Sequence, residues 1–576
     1  MMAQMPDKKL ITESSQIIYD GFLHYNEAFH RLTRRARTRF ERRDWHGHQQ
    51  DLVDRIDLYE KSVRRIVLAL RRLFGDRITD HDLWNEVRSY FGKRLDKVPD
   101  AGFIKTFFNS VTRRIFGTIG TDHRLEFVST NLSEDIELVN TLNLKRYPFW
   151  GSTEKIFEAI LKDFSFRVPY AKSINSNINQ FVESKFNIEN EYLRFEFIDS
   201  FFYQSARAYL IGRIITRDEI LPIVIAFKNT GKGILIDAVF LTEEEVSIVF
   251  SYSRSYYFAD PNSVVGAVYF IHSFLPRKPI DELYTVLGRL RQGKTERHRI
   301  FTEHLKSTTD KFVHAEGDKG LVMIVFTLPS YDLVFKIIRD KFGYPKTISR
   351  NQVIDKYKLV SKHDRAGRLI DTQEFMNLKF PISRFSKILL DDLLKEAANT
   401  IEVVDDNLLI KHAYIERRVR PLNLYINEVD REEAEQAILD YGQAIKDLAR
   451  TNIFPGDLLL KNFGVTRHRR ILFYDYDEVS LITECNFRDI PEAKDDIDEL
   501  RSESWYYVGE HDMFPEEFIK FLSMNNDLRS LFLVVHGELL TAEYWREIKS
   551  RHESGKVSLV IPYSRPKMPL HDSKHT

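Results

Sequence analysis

Cysteine is almost absent. A single thiol, Cys485, stands among 576 residues, which excludes an intramolecular disulfide framework and a thiolate zinc cage, and fits a reducing compartment. Excess charge of either sign is missing too. The 85 Lys and Arg equal the 85 Asp and Glu, so net charge offers no pull towards nucleic acid or an anionic membrane. No run approaches the roughly 18–20 apolar residues that span a bilayer. The N-terminal MMAQMPDKKLITESSQIIYDGF lacks the basic start and apolar core of a secretory signal. The expectation is a soluble, cytoplasmic protein, without internal repeats or low-complexity tracts.

What is present is globular: 43% hydrophobic and 30% charged residues, in a chain too long for one core. Leu52, Ile56, Tyr59, Val63, Val67 and Leu70 recur at helical spacing, and the first 125 or so residues read as helices. Just before them lies a basic run, Arg31, Arg34, Arg35, Arg37, Arg39, Arg42 and Arg43. With neutral overall charge, it reads as a helix face paired with acids elsewhere rather than as an RNA- or anion-binding face. Ala206–Thr216, Leu221–Phe227 and Ile234–Leu241 are β-rich runs separated by turn signals, a small antiparallel meander. A helix is expected from Glu243 through the following EEEVSIVFSYSRSYYF. In the second half, strands over Leu321–Leu328 and Leu333–Arg339 precede helices near 351–365 and 383–399. Apolar runs follow at 408–410 and 413–415, then a helix over 431–451. This order predicts an α+β, two-lobed unit.

Gly288-Arg-Leu-Arg-Gln-Gly293-Lys294-Thr295 fits the phosphate-loop string G-x-x-x-x-G-K-[ST]. That mechanism needs a strand feeding the loop. Here Ile280, Leu283, Val286 and Leu290 give the preceding segment helical spacing, so a helix–turn–helix junction is expected.

A better signal is distributed. Asp457-Leu-Leu-Leu-Lys461-Asn462 carries D-L-x-x-x-N, and Asp475 follows the apolar strand Ile471–Tyr474. Phosphoryl transfer needs one carboxylate to orient a hydroxyl and accept its proton. It also needs an amide and a second carboxylate to hold Mg²⁺ against ATP phosphates. Asp457, Asn462 and Asp475 suit these roles in that order. Upstream, Val334-Phe-Lys336-Ile resembles the strand whose lysine meets ATP phosphates. Before it, Ala315, Glu316, Gly317, Asp318, Lys319, Gly320 and Leu321 form a two-glycine loop suited to cover them. Singly each is weak; in this order they predict a kinase. Pro455-Gly456 replaces the usual His-Arg, and Asp475-Tyr476-Asp477 replaces D-F-G, so the kinase is atypical. Glu374 and Asp355 are both possible partners for Lys336. Asp477, two residues past Asp475, would point the same way on a strand.

These departures, with VMIVFTLPSYDLVFKIIRDKF (322–342), KHDRAGRLIDTQEF (362–375), YIERRVRPLN (414–423), NIFPGDLLLKNFGVTRH (452–468), FYDYDEVS (473–480), NFRDIP (486–491) and MFPEEF (513–518), resemble the bacterial isocitrate dehydrogenase kinase/phosphatases. FFNSV (107–111) and SRSYYF (253–258) extend the likeness into the N-terminal half. The resemblance implies a bifunctional enzyme that phosphorylates and dephosphorylates a serine of isocitrate dehydrogenase, switching carbon between the citric acid cycle and the glyoxylate bypass. It implies a regulatory domain over 1–310 and a kinase-like domain over 311–576. It further implies a homodimer, AMP as effector, one nucleotide site for both activities, and ATP with Mg²⁺ (or Mn²⁺). By position, Lys461 would meet the transferring phosphoryl group, Asp371 would serve the phosphatase, and Asp477 would share the metal or position water. The segment near 484–516, with Glu484, Asp489, Glu492, Asp495, Asp496, Asp498, Glu499, Trp505, Tyr506 and Tyr507, would grip the substrate protein. Two rival readings are a nucleotide-sensing pseudokinase, or another atypical Ser/Thr kinase, and an ATPase centred on Lys294.

Overall fold

The computed structural model describes residues 7–560 and Tyr563, apart from 96–97, 99, 129–140, 150–152, 171–192, 252–256, 364–365, 492–505 and 557–559. Two compact units result: Met1–Thr308 with Tyr563–Thr576, and Thr309–Pro562.

The first unit opens with two long helices, Asp7–Arg42 and Trp45–Phe74. Asp44 ends one and starts the other, its carboxylate accepting from Gly47 N–H at the new N-terminus. Their apolar stripes pack with Phe103, Phe107 and Trp84 of the next two helices. Five of the seven arginines of the basic run are paired internally. Arg34 pairs with Asp260, Arg35 and Arg39 with Asp51, Arg37 with Glu41, and Arg31 with Glu27.

The meander is part of a seven-stranded sheet. Its strands are β1 (Leu144–Pro148), β2 (Arg194–Ile198), β3 (Phe202–Gln204), β4 (Arg207–Ile215), β5 (Ile220–Asn229), β6 (Ile234–Phe240) and β7 (Phe258–Ala259). β4 carries β5 along one edge and β2 and β3 along the other. Both faces of β4 and β5 are buried, which suits their unbroken Ile, Val and Ala content. The helix after Thr242 is shorter than expected, Glu243–Val249, because Phe258 and Ala259 join the sheet as β7. Residues 253–256 of the SRSYYF string lie outside the described residues.

The phosphate-loop string is helical. Helix Ile280–Val286 precedes it, Gly288 turns at φ +88°, and Gly293 to Thr295 lie inside helix Leu290–Ser307. The N–H of Gly293 donates to the Arg289 carbonyl at 2.9 Å, so it cannot cradle a phosphate.

The second unit has two lobes. The first is a six-stranded antiparallel sheet of β8 (Val313–His314), β9 (Met323–Thr327), β10 (Leu333–Ile338), β11 (Gln373–Pro381), β12 (Ile401–Val404) and β13 (Asn407–Arg417), in order β11-β13-β10-β9-β8 with β12 also on β13. The two apolar runs at 408–410 and 413–415 are one strand. Lys411 and His412, which separate them in sequence, find cross-strand partners in Glu402 and Glu374. The second lobe surrounds helix Arg431–Arg450, whose Ala437, Tyr441, Ala444 and Leu448 are buried beside Phe454, Phe463 and Trp545.

Candidate active site

The two-glycine loop joins β8 to β9, so it is a hairpin tip above the sheet. Its residues 316–321 are exposed, and Gly317 at φ +113° supplies a conformation that costs other residues. Its charged side chains already have partners. Glu316 pairs with Arg420, Lys319 with Asp392 (3.1 Å), and Asp318 lies 3.7 Å from Lys461.

Lys336 sits on β10 between Val325 of β9 and Tyr414 of β13. Only 4% of it is exposed. A buried ammonium needs a counter-charge. Its Nζ lies 2.6 Å from Glu416 of β13 and donates to the Tyr474 carbonyl at 2.7 Å. Neither expected partner serves. Glu374 faces outward to His412, and Asp355 pairs with exposed Lys358. One cue to Glu416 lay in the sequence: an acid inside the strand HAYIER.

The catalytic loop follows β15 (Ile453–Phe454), which comes after the short β14 (Arg420–Pro421). Gly456, at φ +89°, passes so close to Glu478 that a Cβ would sit 2.5 Å from that side chain, which explains glycine here. Asn462 donates its amide N–H to Asp457, leaving its carbonyl oxygen for a cation. The Tyr441 hydroxyl holds the Leu458 carbonyl at 2.5 Å, tying the loop to the central helix. Lys461 is half-exposed at the same mouth.

β16 (Phe463–Val465) and β17 (Ile471–Phe473) form the hairpin that delivers Asp475. Here the strand expectation needs correcting. β17 ends at Phe473, and Asp475 and Asp477 lie in the irregular backbone beyond it. The two carboxylates meet nonetheless. Burial, reinforced by Asp477, pushes Asp475 up to about 8, against the pull of Lys336. Asp457 is raised to about 6 by burial and by Glu478, with Lys346 opposing. Lys346, which sequence reasoning missed, lies 3.3 Å from Asp477 and also pairs with Glu478.

Asp371 lies just before β11. Ile370 N–H donates to the Phe473 carbonyl at 3.3 Å and Phe473 N–H to the Arg368 carbonyl at 2.7 Å, so the segment runs beside β17. Gln373 donates to the Asp371 carboxylate at 2.9 Å. Arg368, buried, holds Asp440 with two bonds of 2.8 Å and Asp447 with one of 2.9 Å. Lys336, Asp457, Asn462, Asp475 and Asp477 therefore gather at one mouth, with Asp371 docked along the strand that leads to it.

Among the described residues no three Asp, Glu, His or Cys side chains form a metal cage. A nucleotide-borne Mg²⁺ does not need one, since one or two carboxylates plus phosphates complete its shell. Asp475 with the Asn462 carbonyl fits that demand, and the crowded Asp475–Asp477 pair calls for a cation.

In the acidic segment, Glu492, Asp495, Asp496, Asp498, Glu499 and Trp505 lie outside the described residues. Asp489 pairs with Arg546, and Tyr506 packs on Phe514 beneath the Arg488 guanidinium. Phe514-Pro515-Glu516 opens a 3₁₀ turn with proline at its start.

A strand lysine paired across a sheet lobe to a glutamate, above a helical lobe that offers D-L-x-x-x-N and an aspartate just beyond a strand, is the arrangement of protein-kinase-type phosphotransferases. Residues 310–565 match the family model described as isocitrate dehydrogenase kinase/phosphatase (AceK) kinase domain, and residues 15–309 match its regulatory domain. The chain is 43% identical to the isocitrate dehydrogenase kinase/phosphatase of Anaeromyxobacter sp. (strain Fw109-5), over 96% of both chains. It is 42% identical to that of Xanthomonas campestris pv. campestris (strain 8004), over 95% of this chain and 96% of the relative. The chain belongs to the isocitrate dehydrogenase kinase/phosphatase family.

Proposed function

We propose that this chain phosphorylates a serine of isocitrate dehydrogenase and also removes that phosphate, setting flux between the citric acid cycle and the glyoxylate bypass. The observation that carries this reading is the gathering of Lys336, Asp457, Asn462 and Asp475 at one mouth of a family member. In the kinase direction the serine Oγ attacks the γ-phosphorus of ATP, its proton passes to Asp457, and the β–γ bridging oxygen leaves as part of ADP. Lys336 and the 315–321 loop bind the nucleotide phosphates, and Lys461 meets the transferring group. Asp475 and Asn462 would hold Mg²⁺, or Mn²⁺ in its place, which would supply positive charge against the phosphates. In the phosphatase direction water attacks the phosphoserine phosphorus and the serine oxygen leaves. Asp371 orients that water or takes its proton, and Asp477 assists.

The partner set is one protein substrate and a second copy of the chain, with AMP as effector of the N-terminal unit and no nucleic acid or membrane. No helix among the described residues is long and apolar enough to cross a bilayer, and we place the enzyme in the cytoplasm. The test uses isocitrate dehydrogenase and radiolabelled ATP with Mg²⁺. Label should reach a dehydrogenase serine with wild type, but not with Asp457→Ala or Lys336→Met, and should be released when ADP is added. Nucleotide binding without transfer by wild type would instead support a pseudokinase.

A further inference from the structure

Asp371 and Lys336 are 35 residues apart and belong to different reactions in the proposed function, yet buried polar contacts join their neighbourhoods. Thr372, next to Asp371, donates its hydroxyl to Glu416 Oε2 at 2.7 Å. The other oxygen of the same carboxylate, Oε1, lies 2.6 Å from Lys336 Nζ. Lys336 in turn donates to the carbonyl of Tyr474, the residue before Asp475. Thr372, Glu416 and Lys336 are 3%, 1% and 4% exposed, so water screens none of these contacts. On its other side the Asp371 segment is fixed. Residues 368–370 run beside β17, and Arg368 is clamped by Asp440 and Asp447. The Tyr476 hydroxyl also grips the Ile370 carbonyl at 2.9 Å. The contact with Glu416 reaches the nucleotide lysine through a single carboxylate.

Glu416 distributes one negative charge between a cation and a hydroxyl. A polyphosphate bound at Lys336 would draw part of that cation's hydrogen bonding away, and the carboxylate would then lean more on Thr372. From this geometry we propose that Thr372 is a positioning residue for Asp371, and that Glu416 is the link through which nucleotide at Lys336 sets where Asp371 stands for dephosphorylation. This inference rests on the proposed phosphatase role of Asp371.

Thr372→Val removes the hydroxyl and keeps the shape, and Thr372→Ser keeps the hydroxyl. Kinase and phosphatase kcat and KM, ADP affinity by calorimetry and Tm are measured for both variants beside wild type. Thr372→Val should lose tenfold or more in phosphatase kcat, with KM for phosphorylated dehydrogenase within twofold and kinase kcat lowered less than threefold. Thr372→Ser should restore the phosphatase. Equal loss of both activities with a lowered Tm, or a phosphatase unmoved in Thr372→Val, would overturn the positioning role. Wild type that lacks phosphatase altogether would overturn the proposed function, and this role with it.

Discussion

Two groups of buried carboxylates, one in each unit, are treated in opposite ways. In the first unit, Glu196 of β2 is 2% exposed and meets three arginines, Arg146, Arg194 and Arg213. Asp237 has Arg207, Lys228 and the Tyr563 hydroxyl, and those partners overcome its burial and hold it below the usual carboxylate range. In the second unit Asp457, Asp475, Asp477 and Glu478 crowd together, and the cations beside them are Lys336 and Lys346. The result is reversed: Asp457 rises to about 6 and Asp475 to about 8. The Glu196 and Asp237 clusters have cations in excess, whereas the 457–478 cluster is short of them, the kind of deficit that marks a candidate functional site.

This contrast can be broken or sharpened by experiment, taking the largest effect first. Asp457→Asn should lower kinase kcat by about 10³-fold, or roughly 4 kcal/mol of barrier, while Tm stays at or above wild type. A comparable collapse of Tm would make Asp457 structural. Glu196→Ala should do the reverse, removing about 3 kcal/mol of stability by taking from Arg213 its one buried carboxylate partner and leaving it Ser273 and the Phe270 ring. Kinase kcat of the folded fraction should hold, and a chemical-denaturation series measures the loss.

A third test concerns pH. Burial, with Arg113 and Lys294 nearby, lowers His298 to about 4 from the 6.5 it has when unfolded. Between these values the unfolded chain binds a proton that the folded chain refuses. Stability is therefore full above pH 6.5 and falls as pH drops towards 4, by up to about 3 kcal/mol. His298→Gln should flatten that part of the Tm–pH curve; an unchanged slope would show the ring to be solvated. Asp475→Asn should gain on the order of 1 kcal/mol in Tm terms, by relieving the Asp475–Asp477 repulsion, while abolishing transfer. A loss of stability there would mean that Asp475 is balanced as Glu196 is. Last, Lys294→Met should leave both activities within twofold of wild type, since Lys294 lies within a helix.

Contiguous signals were legible in the chain. The strand that carries Lys336, the strand that leads to Asp475 and the helix–turn–helix identity of the phosphate-loop string all follow from local pattern, because each is written within a few residues. The β4–β6 meander was legible for the same reason: its turns lie between uninterrupted β-branched runs. β11 was not anticipated, since QEFMNLKFP mixes Glu374, Met376 and Lys379 on its outward face and carries no continuous apolar run. The helix after Glu243 was overextended because a strand in that position depends on pairing with β3, which lies some fifty residues away. Asp371 came only from family resemblance; as an isolated acid it has no local signature.

By itself, then, the sequence determined which residue types could carry phosphoryl transfer, in what order, and that the basic run had enough acids to be neutralised. Only the tertiary structure decided which partner each charge takes. Glu416 rather than Glu374 or Asp355 answers Lys336, because Lys336 of β10 pairs with Tyr414 of β13 and a buried ammonium takes the carboxylate that this register brings within 2.6 Å. Lys346 enters the acidic cluster in the same way, through folding and across some 130 residues of chain. Pairings of this kind are fixed by sheet register and lobe packing, which no local pattern encodes.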